Sequence, residues 1–210
     1  MTILQEIRAS VIKGDAAGAT AGVHKALEED IPALTILNEA LISGMTEVGE
    51  KFEAGEYYIP EMLIAARAMQ SALAPLKPLL VQSGAEPLGR VAIGTVQGDL
   101  HDVGKNLVGM IFEGTGFSVV DLGVDVKPQT FVEAVSEHQA SILGMSALLT
   151  TTMPKMAETV MAIQAAGLRD QVKIMVGGVP ATPEFAESIR ADAYAANATS
   201  AVEKAKAILS

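Results

Sequence analysis

Cysteine and tryptophan are both absent from this 210-residue chain, and the remaining aromatics amount to three tyrosines and five phenylalanines. Without cysteine there is no disulfide framework, no thiolate metal site and no thiol nucleophile. Positive charge is also scarce. Lys plus Arg number 15 against 25 Asp plus Glu, a formal charge of −10. Neither half is basic: residues 1–88 hold 6 basic and 12 acidic side chains, and residues 89–210 hold 9 and 13. A broad electrostatic grip on nucleic acid or on an anionic membrane is therefore not expected. The longest uncharged stretch, Gln139 to Pro154, falls short of the roughly 20 apolar residues of a membrane helix. The opening Met1-Thr2-Ile3-Leu4-Gln5-Glu6 lacks the basic, then apolar, succession of a secretory signal. The expectation is a cytoplasmic protein with neither nucleic acid nor membrane as partner, long enough for one large or two small domains with their own cores.

Two different patterns fill the chain. Through the first 82 residues apolar side chains recur at helical spacing, as in Leu4, Ile7, Val11 and Ile12, then Leu34, Leu37, Leu41, Met45 and Val48. Four helices are expected, over 2–13, 15–29, 31–52 and 60–81, with Asp15 as an N-cap and Pro32 and Pro60 near helix starts. Residues 83–89 combine Gly, Pro and Ser with little periodicity and read as a linker. From residue 90 to 210 the pattern changes to short apolar runs, Val91–Val96, Ser118–Leu122, Ser141–Met145, Val172–Val176 and a weaker Ala193–Ala196, separated by helical segments and followed by a last helix over 200–209. Runs that are apolar throughout indicate strands covered on both faces. The fold class expected is therefore α plus α/β: an N-terminal four-helix cap bundle over 1–82, a linker, and a doubly wound, five-stranded parallel domain of the Rossmann or flavodoxin-like type over 90–210. Ligands of such sheets bind beyond the carboxyl ends of the strands.

Those ends carry the polar residues. Gln97-Gly98-Asp99-Leu100-His101-Asp102-Val103-Gly104-Lys105-Asn106 follows the first strand, Ser146-Ala147-Leu148-Leu149-Thr150-Thr151-Thr152 the third, and Gly177-Gly178 the fourth. His101 is the candidate metal ligand or acid–base group. Asp99, two residues earlier, can take a hydrogen bond from its second ring nitrogen and fix the tautomer. One histidine does not make a zinc site, which wants three or four protein ligands. If His101 binds metal, the other positions must come from elsewhere, and a macrocyclic cofactor supplies them. Glycines after strands allow a bulky ligand close to the backbone, although the spacing matches neither a dinucleotide fingerprint nor a phosphate loop.

Asp99-Leu100-His101-Asp102-Val103-Gly104, then 41 residues, Ser146-Ala147-Leu148, then 28 residues, Gly177-Gly178, resembles the Asp-x-His-x-x-Gly, Ser-x-Leu, Gly-Gly pattern of cobalamin-binding domains. The continuation Gly104-Lys105-Asn106 and the segment Asp121-Leu122-Gly123-Val124 resemble the methionine synthase type, which includes the small corrinoid proteins of methyltransferase systems. In the helical half, Gly44-Met45, Val48-Gly49, Phe52-Glu53, Tyr58 to Met62 and Ala65 to Met69 look like that family's four-helix cap.

The resemblance implies a cobalamin whose own base has left the cobalt and whose nucleotide tail enters the α/β domain, with His101 as lower ligand. Asp99 would hold the distal ring nitrogen, and Thr152 stands where relatives place a serine that extends the pair into a relay. Ser146, with Leu148 and Thr150 beside it, would line the tail pocket. Gly98, Asp102, Gly104, Gly177 and Gly178 complete the expected cofactor contacts, and Tyr58 and Met62 are the candidates on the cap side. Arg190 stands where many relatives carry glycine. His24 and His138 are read as ordinary helix-surface residues.

The function implied is a methyl carrier. A substrate methyltransferase would load methyl onto the bound methylcobalamin cobalt, a second methyltransferase would pass it to tetrahydrofolate or a thiol, and a reductive activator protein would restore the cobalt. No barrel-sized region for substrate activation is present, so the chain is expected to be a carrier component and not to complete a turnover alone. Two other readings use related modules: a cobalamin-dependent sensor or repressor, disfavoured by the missing tryptophan and the negative charge, and the cobalamin subunit of an adenosylcobalamin mutase.

Overall fold

The computed structural model describes residues 1–82 and 87–209, so positions 83–86 of the expected linker lie outside the described residues. The chain divides into two compact units, Met1–Pro87 with Glu113–Gly116, and Leu88–Phe112 with Phe117–Ser210.

The first unit is helical. Helix α1, Ile3–Lys13, opens on a capping box in which Thr2 and Gln5 exchange side-chain to backbone hydrogen bonds, and it closes on Gly14 in the left-handed conformation. Asp15 then caps α2, Ala16–Glu28, accepting from the Gly18 N–H at 2.9 Å. The expected third helix is a continuous rod of three parts: α3, Ala33–Thr35, a π-helical stretch, Ile36–Ile42, and α4, Ser43–Glu53. The π-stretch changes the buried stripe. Leu34 is exposed, while Ile36, Ala40 and Leu41 are fully buried ahead of Met45 and Val48, because a π-turn carries an extra residue and shifts the phase of the helix beyond it.

The fourth expected helix, 60–81, is two helices. Helix α5, Ile59–Leu73, with Pro60 in its first turn, ends at Ala74, and α6, Lys77–Gln82, follows a turn. Pro75 and Pro78 lack the N–H groups that would bond back four residues, and each ring crowds the preceding turn. Helices α1 and α5 bury Ile7 and Val11 and Met62, Ala65, Ala66, Ala68, Met69 and Ala72.

The second unit is a five-stranded parallel sheet of strands β1, Arg90–Thr95, β2, Ser118–Asp121, β3, Ile142–Ser146, β4, Lys173–Gly177, and β5, Ala193–Ala195, in the order β2-β1-β3-β4-β5. Five helices complete it: α7, Val103–Gly114, α8, Pro128–His138, α9, Pro154–Ala165, α10, Pro183–Ser188, and α11, Ala198–Leu209. In β1 every residue after Arg90 is buried, as expected of a strand covered on both faces. Phe131 of α8 fills the space beside Gly94, where an added Cβ would lie 2.9 Å from its ring. Arg190, just beyond α10, has φ 60, a left-handed geometry that glycine adopts at no steric cost.

Candidate functional site

The order β2-β1-β3-β4-β5 places the topological switch point between β1 and β3, which continue away from each other to opposite sides of the sheet. Their last residues, Thr95 and Ser146, are register partners. The two polar loops singled out in the sequence therefore emerge side by side at the one place where an open sheet of this order leaves a crevice.

Asp99 lies at the centre of this crevice, fully buried. One carboxylate oxygen, Oδ1, accepts from His101 Nδ1 at 2.7 Å and from the His101 backbone N–H at 3.1 Å. The other, Oδ2, accepts from the N–H groups of Leu148 and Leu149 at 2.8 and 3.2 Å and from the Thr152 hydroxyl at 2.8 Å. Burial alone would push this carboxyl up. The hydrogen bonds from His101, Leu148 and Thr152 outweigh it and hold Asp99 well below the ordinary aspartate value of 3.8. An ionised carboxylate can only accept, so Nδ1 is the nitrogen that donates to it and Nε2 is the one turned away from Asp99. With 52% of its side chain exposed, His101 is an oriented donor facing outward, not a core residue.

Neighbours that sequence reasoning missed fix this loop. Thr95, fully buried, donates its hydroxyl to the His101 carbonyl at 2.8 Å. Asp125 accepts from the Gly98 N–H at 2.7 Å, and its own N–H returns to the Asp99 carbonyl at 3.0 Å. Lys105, buried in the first turn of α7, pairs with Asp121 at 2.6 Å. No sequence signal marks Thr95 or Asp125, since each acts across a turn or between strands.

The glycines differ in their reasons. Gly98 has φ +84 and Gly178 φ +119, a conformation L side chains rarely adopt, and a Cβ at Gly178 would also meet the Ala147 carbonyl oxygen. A Cβ at Gly177 would sit 3.0 Å from the Ala195 carbonyl oxygen, so the neighbouring strand already asks for glycine there. Gly104 is the opposite case: a Cβ would meet nothing within 4 Å. The local packing does not ask for glycine there, and glycine weakens a helix. Leu100, Leu148, Leu149 and Val179 are exposed on loops at this same edge of the sheet, and Val103 is exposed at the first position of α7. Large apolar side chains gathered in one place mark a surface made to be covered.

Ser146 ends β3, its carbonyl accepting from Val96 N–H at 3.0 Å, and Thr150 is exposed on the loop beyond it. Asp102 is exposed and takes the Asn106 side-chain amide at 3.1 Å. Tyr58 and Met62 belong to the helical unit. Tyr58 is exposed at the start of α5, whereas Met62 is fully buried. Among the described residues no group of three His, Asp or Glu side chains is gathered to hold a metal ion, and no helix is long and apolar enough to cross a membrane.

An open parallel sheet with one oriented imidazole at its switch point, exposed apolar side chains around it and a glycine facing open space is a surface suited to a large ligand. Comparison with known proteins gives the family. Residues 89–206 and residues 3–77 each match a B12 binding domain family. The chain is 39% identical to a corrinoid protein of Desulfitobacterium hafniense, with 100% of this chain and 98% of the relative covered. It is 41% identical to dimethylamine corrinoid protein 1 of Methanosarcina acetivorans, over 99% and 97% of the two chains. The crystal structure of the methanol:cobalamin methyltransferase complex of Methanosarcina barkeri contains a chain that superposes with a TM-score of 0.88 at 27% identity, covering 99% of this chain and 79% of that one. The chain belongs to the cobalamin-binding corrinoid proteins of methyltransferase systems. The residues present fit such a cofactor: an outward imidazole nitrogen that could serve a metal, exposed apolar surface, and open space at Gly104.

Proposed function

We propose that this protein is the methyl-carrying component of a corrinoid-dependent methyltransferase system, holding cobalamin with the cofactor's own base displaced and His101 Nε2 in its place. The observation that carries the reading is the 2.7 Å bond from His101 Nδ1 to a buried Asp99, which fixes the ring's orientation and turns Nε2 outward. When bound, the cofactor supplies a cobalt centre that accepts and releases a methyl group. The chain's own residues do the rest. Asp99 orients the imidazole and stabilises it electrostatically if it leaves the metal and gains a proton, while Thr152 and the Leu148 and Leu149 amides keep Asp99 charged. Gly104 leaves room for the nucleotide tail, with Ser146, Leu148 and Thr150 along it.

In this reading residues 1–82 serve as the cap, 83–89 as the link, and 90–210 as the cofactor domain; of the two cap candidates Tyr58 is exposed and free to meet a ligand, whereas Met62 is fully buried and is not. Relatives named for dimethylamine, and a neighbour solved in a methanol:cobalamin methyltransferase complex, support a substrate methyltransferase as first partner. The carrier role also calls for a second methyltransferase acting on tetrahydrofolate or a thiol, and for a reductive activator, and the cytoplasm is where such partners would be met. The test is reconstitution with cobalamin and electron paramagnetic resonance of the cobalt(II) form. Nitrogen splitting in the unsubstituted protein that disappears in His101→Ala is expected; splitting that persists in His101→Ala overturns the ligand assignment.

A further inference from the structure

The Lys105–Asp121 pair extends further: with Asn106 it forms a connected chain that ends at Asp102, beside His101. Lys105 is 3% exposed. Its ammonium donates to both carboxylate oxygens of Asp121, at 2.6 and 2.7 Å, and to Asn106 Oδ1 at 2.6 Å. Asn106 in turn donates its side-chain amide to Asp102 Oδ2 at 3.1 Å and its backbone N–H to the Asp102 carbonyl at 2.7 Å. Asp102 is the residue after His101.

An ammonium has three protons, and all three are matched here. Lys105 is therefore not held in reserve for an anionic group of a ligand; its charge is spent inside the protein. Asp121 is the last residue of β2 and is itself braced by the Gly123 N–H at 2.9 Å. The pair thus ties the first turn of α7 to the end of an edge strand, two residues after the point where α7 begins and four after His101.

His101 is held from upstream by Asp99 and Thr95. From downstream, the Asp102-Asn106-Lys105-Asp121 chain is what sets where the helix starts. We propose that Lys105 and Asp121 are positioning residues for the lower ligand: by fixing the first turn of α7 against β2 they fix the height of His101 at the sheet edge, and so the balance between imidazole bound to and released from the cobalt. Ligand groups must be held to within roughly 0.5 Å of productive geometry by the residues that support them, and a turn anchored only by its own helical bonds would not do so. The inference rests on the reading of His101 as that ligand.

The experiment uses the full chain reconstituted with cobalamin and compares the unsubstituted protein, Lys105→Met, Asp121→Asn and His101→Ala. Thermal melts report folding, and cobalt(II) electron paramagnetic resonance reports the ratio of nitrogen-split to unsplit signal. The expected result is folded, cobalamin-loaded Lys105→Met with that ratio lowered about tenfold, in the range seen when outer partners of metal ligands are removed, and Asp121→Asn lowered in the same direction. Added free imidazole restores a nitrogen-split signal in Lys105→Met, as in His101→Ala. Both variants loaded and keeping the unsubstituted ratio overturns the inference, since a merely structural pair would lower the melting temperature and leave the ratio untouched. If Lys105→Met fails to fold, the milder Asp121→Asn decides in the same way. An unsplit signal in the unsubstituted protein overturns the His101 reading itself, which separates that failure from this one.

Discussion

The Thr152 hydroxyl donates to Asp99 Oδ2 at 2.8 Å, the oxygen other than the one that takes His101. The Leu149 carbonyl lies 2.9 Å from the same hydroxyl, so its single proton is shared between the carboxylate and the backbone. Replacing Thr152 by Val removes that donor while two amides still serve Oδ2. The expected loss is about 1 kcal/mol of apo-protein stability in urea unfolding, with a displaced cobalt(II)/cobalt(I) midpoint potential. Thr152→Ser keeps the hydroxyl and is expected to match the unsubstituted potential; a Ser variant that behaves like Val would mean that the methyl packing, and not the hydrogen bond, is what matters.

Asp99→Asn changes the tautomer and not only the charge. The Leu148 and Leu149 amides and the Thr152 hydroxyl all require an acceptor, so the new amide turns its oxygen to them and its NH2 toward His101. Nδ1 must then accept, which puts the ring proton on Nε2, where it blocks coordination. Loss of nitrogen splitting with His101 still present is the expected spectrum.

The same carboxylate sets an acid limb. Its folded pKa lies below the unfolded value of 3.8, so its contribution to stability is fully present above about pH 4 and is lost as pH falls through the lower folded value. Between about pH 4 and 2 the apo protein should lose up to about 1.4 kcal/mol per pH unit through this one group. Asp99→Asn removes that slope. Urea midpoints taken across this range test it, and parallel acid limbs in the two proteins would refute it.

Two glycines separate a fold requirement from a ligand requirement. Gly178→Ala meets the Ala147 carbonyl at a left-handed φ and should destabilise the apo protein by about 1 to 3 kcal/mol. Gly104→Ala meets open space, should leave the apo protein as stable or slightly more so, and should weaken cobalamin retention. Equal retention in Gly104→Ala would remove the reason given for that glycine.

The sheet, its strand placement and the loop bearing His101 were legible because covered strands and a strand-to-helix polar loop leave local marks in sequence. Asp99 was legible as the partner of His101 because the two are near in the chain. Its contacts with Leu148 and Leu149, some 49 and 50 residues away, were approached only through a motif resemblance, since no periodicity encodes which loop meets which. Thr95 and Asp125 were not found at all: a threonine ending a strand and an aspartate in a turn look ordinary until the turn is built. In the helical half the four-helix reading missed the break at Pro75 and Pro78 and the phase shift after Leu34, where backbone geometry overrode a regular apolar stripe.

That phase shift, over Ile36–Ile42, is the footprint of a one-residue insertion absorbed without a loop. Forcing the same residues into an ordinary α-helix would swing Met45 and Val48 by about 100° relative to Ile36, whereas deleting one residue there would let an α-helix run through with both still on the inward side. The stretch is thus the one place where the rod could shed a residue and gain backbone regularity without turning its inward face away, and the exposed Asn38 and Glu39 are the residues whose loss would uncover least.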